Sequence, residues 1–302
     1  MTINANQHSQ RLDRFLRKEF PSASMSMLFK IIRKKKIRVN GKRGKAEQML
    51  ALGDEICIYE NLPANSKPDV ISLQHEKYIS VVYEDDNLLV LNKPCGIPVH
   101  SGSDGLTSLI EYVWSYLSWN ESGAFKPSLV HRLDKGTSGI ILVCKNAESL
   151  RQWTSLMRHR KLSKKYYALT HGVPETQAGV IELKLSRTDS SKGSKILVSE
   201  QGIYSRTEYK VLSVANDTSL IELTLGTGRM HQIRTHMAHI GCPIIGDDRY
   251  GDYAINKEYK KKYGIHRMCL HSHLLEFENW NFQADLPDLF LKPGHAIIDP
   301  SS

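Results

Sequence analysis

Apolar positions along this chain recur first at a helical period and then at a strand period. Near the N-terminus Leu12, Phe15 and Leu16 fall on one helical stripe, with Arg11, Arg14, Arg17 and Lys18 around them. A second helix is expected after Ser26, with Leu28, Ile31 and Ile32 facing inward. The period then shortens to two. Ile37-Arg38-Val39 alternates, Asn40-Gly41 is the strongest short hairpin signal, and Gly53-Asp54 turns the chain into a strand through Ile56 and Ile58. Pro63, Ser66 and Pro68 break the pattern, so residues 63–76 read as a linker behind a unit spanning 1–62.

The remainder, 77–302, reads as one larger domain. Ile79 to Tyr83 and Leu88 to Leu91 predict two strands around the turn Glu84-Asp85-Asp86-Asn87, and Asn92-Lys93-Pro94 ends the pair. Leu106, Leu109, Ile110, Val113 and Leu117 predict a helix, as do Leu150, Trp153, Leu156 and Met157. Strands are expected at 140–144, 165–170, 179–184, 204–212 and 218–225. Helices and strands are interspersed without the regular alternation of a doubly wound sheet, so the fold class is α+β. There is no internal repeat and no low-complexity stretch.

Composition adds little, but charge adds much. The chain has 302 residues, with 40% hydrophobic and 24% charged, ordinary for a globular protein. No apolar run reaches the roughly 20 residues a membrane helix needs, and the polar start has no signal-peptide core. Five scattered cysteines without a CxxC pair favour reduced thiols, hence a cytoplasmic location, and argue against a thiolate zinc site. Net charge is +9, and residues 1–62 hold 13 Lys/Arg against 6 Asp/Glu while the rest hold 28 against 26. Such a concentration of positive charge on a patterned unit is the footprint of a nucleic-acid binder. The cations Arg33, Lys34, Lys35, Lys36, Arg38, Lys42, Arg43 and Lys45 cluster at the end of the second helix and on the hairpin.

Three clusters could carry chemistry. In His131-Arg132-Leu133-Asp134-Lys135-Gly136-Thr137-Ser138-Gly139-Ile140 an acid lies between cations, a turn-prone run follows, and an apolar strand begins. A carboxylate so flanked stays ionised and can act as nucleophile or base, though an ordinary ion pair has the same signature. In Leu225-Gly226-Thr227-Gly228-Arg229-Met230-His231-Gln232-Ile233-Arg234-Thr235-His236 a Gly-rich turn follows a strand and opens a helix, presenting N–H groups and an arginine to an anion. Neither GxGxxG nor a P-loop lysine is present, so a nucleotide cofactor is unsupported. The five-residue step from His231 to His236, without an HExxH glutamate, argues against a metal. In Lys164-Lys165-Tyr166-Tyr167-Ala168-Leu169 two adjacent strand tyrosines point to opposite faces, one to the core and one to a cleft. A two-carboxylate sugar hydrolase using Asp247 or Asp248 gives no reason for the basic front unit.

The first 62 residues resemble an S4 domain, through Arg11-Leu12-Asp13, the basic helix to Arg33, Arg38-Val39-Asn40-Gly41 and Gly53-Asp54. Lys35 departs from the glycine common there. With the S4 unit in front, nearly the whole chain resembles the RluA-type pseudouridine synthases. The matching residues are His131-Arg132-Leu133-Asp134 with Thr137-Ser138-Gly139, Lys164 with Tyr166, Thr227-Gly228-Arg229 with His231-Gln232-Ile233-Arg234, Glu84-Asp85 through Asn92-Lys93-Pro94, and Gly246-Asp247-Asp248-Arg249-Tyr250-Gly251. The layout, including Arg267 to His271, is most similar to the RluC-type branch, which modifies several uridines of 23S ribosomal RNA.

The resemblance implies a catalytic domain with a mixed, largely antiparallel sheet flanked by helices. It implies isomerisation of uridine to pseudouridine in structured RNA, a reaction with no redox change and no added group, hence no cofactor. Asp134 is then the catalytic carboxylate, Arg229 pairs with it, and Tyr166 stacks on the base and handles a proton. Arg33, Lys34, Lys36, Arg38, Lys42, Arg43, His131, Arg132, His231 and Arg234 are expected to contact RNA. Gly136 stands where an acid is common and Met230 where threonine is common, which bears on specificity rather than activity. A tRNA target or a non-catalytic role in ribosome assembly are the alternatives. Nothing in the sequence demands an oligomer, so a monomer is expected.

Overall fold

The computed structural model describes residues 1–5, 7–20, 23, 25–60, 75–101, 106–119, 125–188 and 195–295. Most of the expected linker, 63–74, lies outside these. The described residues build two separate sheets with separate apolar cores.

The first unit has α1 (Leu12–Glu19) and α2 (Met25–Arg33) packed on a small sheet of β1 (Ile37–Val39), β2 (Lys42–Arg43) and β3 (Ile56–Ile58), in the order β2-β1-β3. Leu12, Phe15, Leu16, Leu28, Ile31, Ile37 and Ile56 share one buried cluster, which is why the helical stripe and the alternating strand coexist. Asn40 (φ 50°) and Gly41 (φ 73°) are both left-handed, the geometry of the two-residue hairpin turn that their identities predict. Lys35 is also left-handed, at φ 60°. A lysine here adopts a backbone state that glycine occupies without steric cost.

The second unit is an eleven-stranded sheet. Its strands are β4 (Val81–Glu84), β5 (Leu88–Lys93), β6 (Ser128–Leu129), β7 (Ser138–Cys144), β8 (Ser163–His171), β9 (Ala178–Thr188), β10 (Lys195–Val198), β11 (Ile203–Ala215), β12 (Thr218–Leu225), β13 (Leu270–Phe277) and β14 (Trp280–Gln283). The order is β10-β9-β11-β12-β8-β13-β7-β5-β4, with β14 on β13 and β6 on β7. Every pairing is antiparallel except a short parallel contact between β13 and β7. Four helices accompany the sheet: α3 (Leu109–Tyr116), α4 (Ala147–Arg158), α5 (Gln232–His239) and α6 (Tyr253–Tyr263). Strands β5 and β7 bury both faces, which explains their continuous apolar runs. Leu88, Val90, Ile140 and Leu142 face α4 through Trp153. Leu89, Leu91, Ile141 and Val143 share the opposite core with Leu109 and Val113 of α3 and Ile233 and Met237 of α5.

The α+β reading and the mixed, largely antiparallel sheet are what the structure has. Element ends differ: Ile79 precedes β4, and α3 begins at Leu109 rather than at Leu106. The pattern gave no signal for β10, β13, β14 or α6. Strand β13 carries His271 and Ser272 in fully buried positions, satisfied by hydrogen bonds rather than by apolar contact. Helix α6 buries only Tyr259, so it has no apolar stripe to detect.

Candidate active site

The loop 131–137 is held from three directions. Downstream, Gly139 (φ 110°) lets β7 press against β13: a Cβ there would lie 2.1 Å from the Ser272 carbonyl oxygen. Only glycine fits that approach. Ser138 Oγ lies 2.9 Å from His271 Nδ1 and accepts from Arg267 Nη1 at 3.1 Å. From the side comes Lys93, fully buried at the end of β5. Its ammonium donates to the carbonyls of Pro94, Ile97 and Lys135, at 2.9, 2.8 and 3.3 Å, and so ties the loop to the turn after β5. Burial pushes its pKa down to about 8, with the nearby Asp134 acting in the opposite direction. Within the loop, Thr137 N–H donates to the Asp134 carbonyl at 3.0 Å. Gly136 packs near Met268, and its carbonyl accepts from Cys95 Sγ at 3.1 Å.

Asp134 stands in a cleft of about 570 Å³ formed by this loop, the start of β8, the turn after β12 and the first turn of α5. Both of its close partners meet the same oxygen. Arg234 Nη1 donates to Oδ2 at 3.1 Å, and His231 Nε2 lies 3.7 Å from Oδ2. Among the described residues no hydrogen-bond or ion-pair partner reaches Oδ1. Arg234 turns its other edge to Asp247, donating through Nε at 2.7 Å and Nη2 at 2.8 Å. The Asp247 carboxylate is wholly buried and also accepts the N–H groups of Arg249 and Tyr250. Burial opposes charge on both groups, but their mutual hydrogen bonds win: the carboxyl of Asp247 is held below its ordinary value and the guanidinium of Arg234 above its own.

The expected partner of Asp134 was Arg229, and the structure corrects this. Arg229 is exposed at the cleft mouth, where its Nε donates to the Tyr204 carbonyl at 3.3 Å. The turn explains the difference. Buried Gln232 takes Thr227 Oγ1 and Arg229 N–H on its Oε1 and donates to the Arg206 carbonyl and Thr207 Oγ1. His231 is left-handed (φ 52°), and α5 begins at the next residue, so that Arg234 faces the loop 131–137. Arg234 and His231, expected to contact RNA, line the cleft, where Arg234 is shared between two carboxylates and His231 stands beside Asp134.

Tyr166 lines the cleft from β8, while its neighbour Tyr167 faces away and stacks on His273 at 4.4 Å. Burial, reinforced by Asp134, raises the Tyr166 pKa to about 12. Its hydroxyl therefore keeps its proton at neutral pH, which suits it to donate rather than accept. Lys164 also faces the cleft, with its ammonium 3.6 Å from Met157 Sδ and its pKa lowered by burial. His131, expected to contact RNA, is half-buried and lines the cleft. Its Nε2 accepts the Leu142 N–H at 3.3 Å and burial drops its pKa to about 3, so it is a neutral ring tied to β7. Arg132 is exposed on the rim, joined by Arg158 and Arg160, which sequence reasoning missed because they sit beyond the apolar stripe of α4 without a motif.

On the first unit Arg33, Lys34, Lys36, Arg38, Lys42 and Arg43 are all exposed. Arg38 and Arg43 stand directly opposite each other across β1 and β2, an arrangement of like charges that costs stability until an anion approaches. No group of three or more His, Cys, Asp or Glu residues that could hold a metal ion occurs among the described residues. No helix there is long and apolar enough to cross a membrane.

A family model described as RNA pseudouridylate synthase matches residues 87–239, and the S4 domain model matches residues 10–56. A protein of Buchnera aphidicola subsp. Schizaphis graminum named ribosomal large subunit pseudouridine synthase C is 36% identical over 279 residues, covering 91% of this chain and 88% of the relative. The protein of the same name from Escherichia coli is 35% identical over 288 residues, covering 92% and 88%. The solved structure of human RNA pseudouridylate synthase domain containing 4 aligns with a TM-score of 0.55 at 29% identity, over 71% of this chain and 91% of that one. The cleft residues named above, and Lys93 as well, fall inside the matched segment 87–239.

Proposed function

Because this chain belongs to the RNA pseudouridylate synthase family, we propose that it isomerises uridines of large-subunit 23S ribosomal RNA with Asp134 as the reacting carboxylate. The observation that carries the assignment is the one-sided engagement of Asp134 in the cleft: Arg234 and His231 both address Oδ2, and no partner among the described residues takes Oδ1. The reaction breaks the N1–C1′ bond, turns the uracil, joins C5 to C1′, moves the C5 proton off carbon and returns a proton to N1. One carboxylate able to act on the sugar or the base meets that demand without a cofactor.

A uridine in structured RNA must leave its stack to reach Oδ1, at a cost of a few kcal/mol. Tyr166 offers a ring to the extruded base, and Arg132, Arg158, Arg160 and Arg229 offer positive charge to the flanking phosphates. The exposed cations of the S4 unit add sequence-independent phosphate contacts that position the RNA. The large-subunit target is supported by the relatives' printed names and by this basic surface. Pseudouridine mapping of total RNA from cells with and without the protein tests the reading. Loss of pseudouridine from 23S RNA is expected; loss confined to tRNA would redirect the target, and no loss anywhere would favour a binding role in ribosome assembly.

A further inference from the structure

Behind His231 stands a second residue that no step so far has used. Tyr250 Oη receives the Ile196 N–H from β10 at 2.8 Å and lies 2.9 Å from His231 Nδ1. Its ring also sits under Arg234, with the guanidinium carbon 5.0 Å from the ring centre. Both groups that address Asp134 therefore rest on one tyrosine. We propose that Tyr250 is a positioning residue for Asp134, acting through the tautomer of His231 to keep Oδ2 engaged and Oδ1 free; this rests on the reading of Asp134 as the reacting carboxylate.

The phenol oxygen takes the Ile196 N–H as acceptor and its own O–H can donate to His231 Nδ1, 2.9 Å away, the direction the proposed tautomer requires. A histidine whose Nδ1 accepts carries its proton on Nε2, the nitrogen that faces Asp134 Oδ2. The left-handed backbone of His231 is an uncommon state for a residue with a side chain, and it sets the ring between the two oxygens.

This arrangement also opposes protonation of His231, because an imidazolium donates from both nitrogens and Tyr250 offers Nδ1 a donor. Other groups act on the same ring. Asp134 and Asp247 favour its charged form, Arg234 and Arg249 oppose it, and burial is the largest influence, toward the neutral form. Removal of the hydroxyl alone, in Tyr250→Phe, keeps the ring beneath Arg234 and removes the tautomer lock together with the acceptor of the Ile196 N–H. His231 then gains a proton more readily, and an imidazolium beside Asp134 weakens the carboxylate as base or nucleophile.

The test uses total RNA labelled with tritium at uracil C5, taken from cells lacking the protein, so that any target is present. Single-turnover tritium release and RNA binding are measured with the full-length wild type and three variants. Tyr250→Phe is expected to bind RNA as wild type does and to lose roughly 10- to 100-fold in rate near pH 6, the loss narrowing to within about threefold near pH 8.5. His231→Gln, which keeps an N–H donor but does not titrate there, is expected to show a loss that does not change with pH. A Tyr250→Phe rate equal to wild type at every pH, or lowered by one constant factor, overturns the proposal. Full release by Asp134→Asn overturns instead the reading on which it rests.

Discussion

Asp134 and Arg234 are 100 residues apart in sequence and 3.1 Å apart across the cleft, and the same guanidinium holds buried Asp247 with its other edge. The pair thus joins the loop before β7 to the turn and helix after β12. Arg234→Ala leaves Asp247 as an uncompensated buried charge, which costs about 3–5 kcal/mol. Arg234→Lys keeps the charge but cannot fork between two carboxylates. It is expected to fold with a smaller stability loss and to lose most activity in single-turnover kinetics. Wild-type kinetics in Arg234→Lys would show that the shared fork does not matter.

Arg229 is expected to behave differently. Exposed at the mouth and hydrogen-bonded to a backbone carbonyl, it can serve flanking phosphates. Arg229→Gln should raise KM and reduce the salt dependence of RNA binding, with a smaller change in kcat. A kcat collapse at unchanged KM would return Arg229 to the role that the sequence suggested.

Three histidines whose pKa values burial lowers make the larger domain sensitive to acid. His131 pairs with Leu142 N–H, His236 with Ser205 Oγ and His271 with Ser138 Oγ, and burial lowers their pKa values to about 3, 4 and 4. Their folded pKa values lie below the unfolded value near 6.5, so the unfolded chain binds more protons as pH falls from there. Stability is fully present above that point and is expected to drop by about 1.4 kcal/mol per pH unit per histidine on the way down to pH 4. Urea melts at several pH values check this. An unchanged midpoint between pH 7.5 and 5 would contradict it.

Much of this architecture was legible because local signals and buried contacts agree. The Asp134 loop stood out because the doubly buried strand β7 follows it at once, and the hairpin because Asn40 and Gly41 both suit left-handed backbone. The choice between Arg229 and Arg234 was not legible. Both lie in one motif, and their destinations depend on the left-handed His231 and on Gln232, which folds the turn back onto β11. Asp247 entered the sequence reading only as a candidate hydrolase carboxylate and as part of the Gly246 to Gly251 match. Its burial follows from a tertiary partner that no spacing encodes.

Two glycine-related positions give opposite stability tests. Gly139→Ala places a methyl 2.1 Å from the Ser272 carbonyl oxygen and should cost more than about 4 kcal/mol, because two strands must separate. Lys35→Gly relieves a left-handed lysine and should raise the stability of the first unit by about 1 kcal/mol. Thermal melts of the full chain read both, and a destabilised Lys35→Gly would mean that the lysine side chain outweighs its backbone cost.

The most direct measurement is tritium release from C5-labelled total RNA by wild type and by Asp134→Asn, with RNA binding measured in parallel. Wild type should release tritium as pseudouridine forms, and Asp134→Asn should bind the same RNA and release none. Release by Asp134→Asn at the wild-type rate would contradict the assignment of Asp134 as the reacting carboxylate.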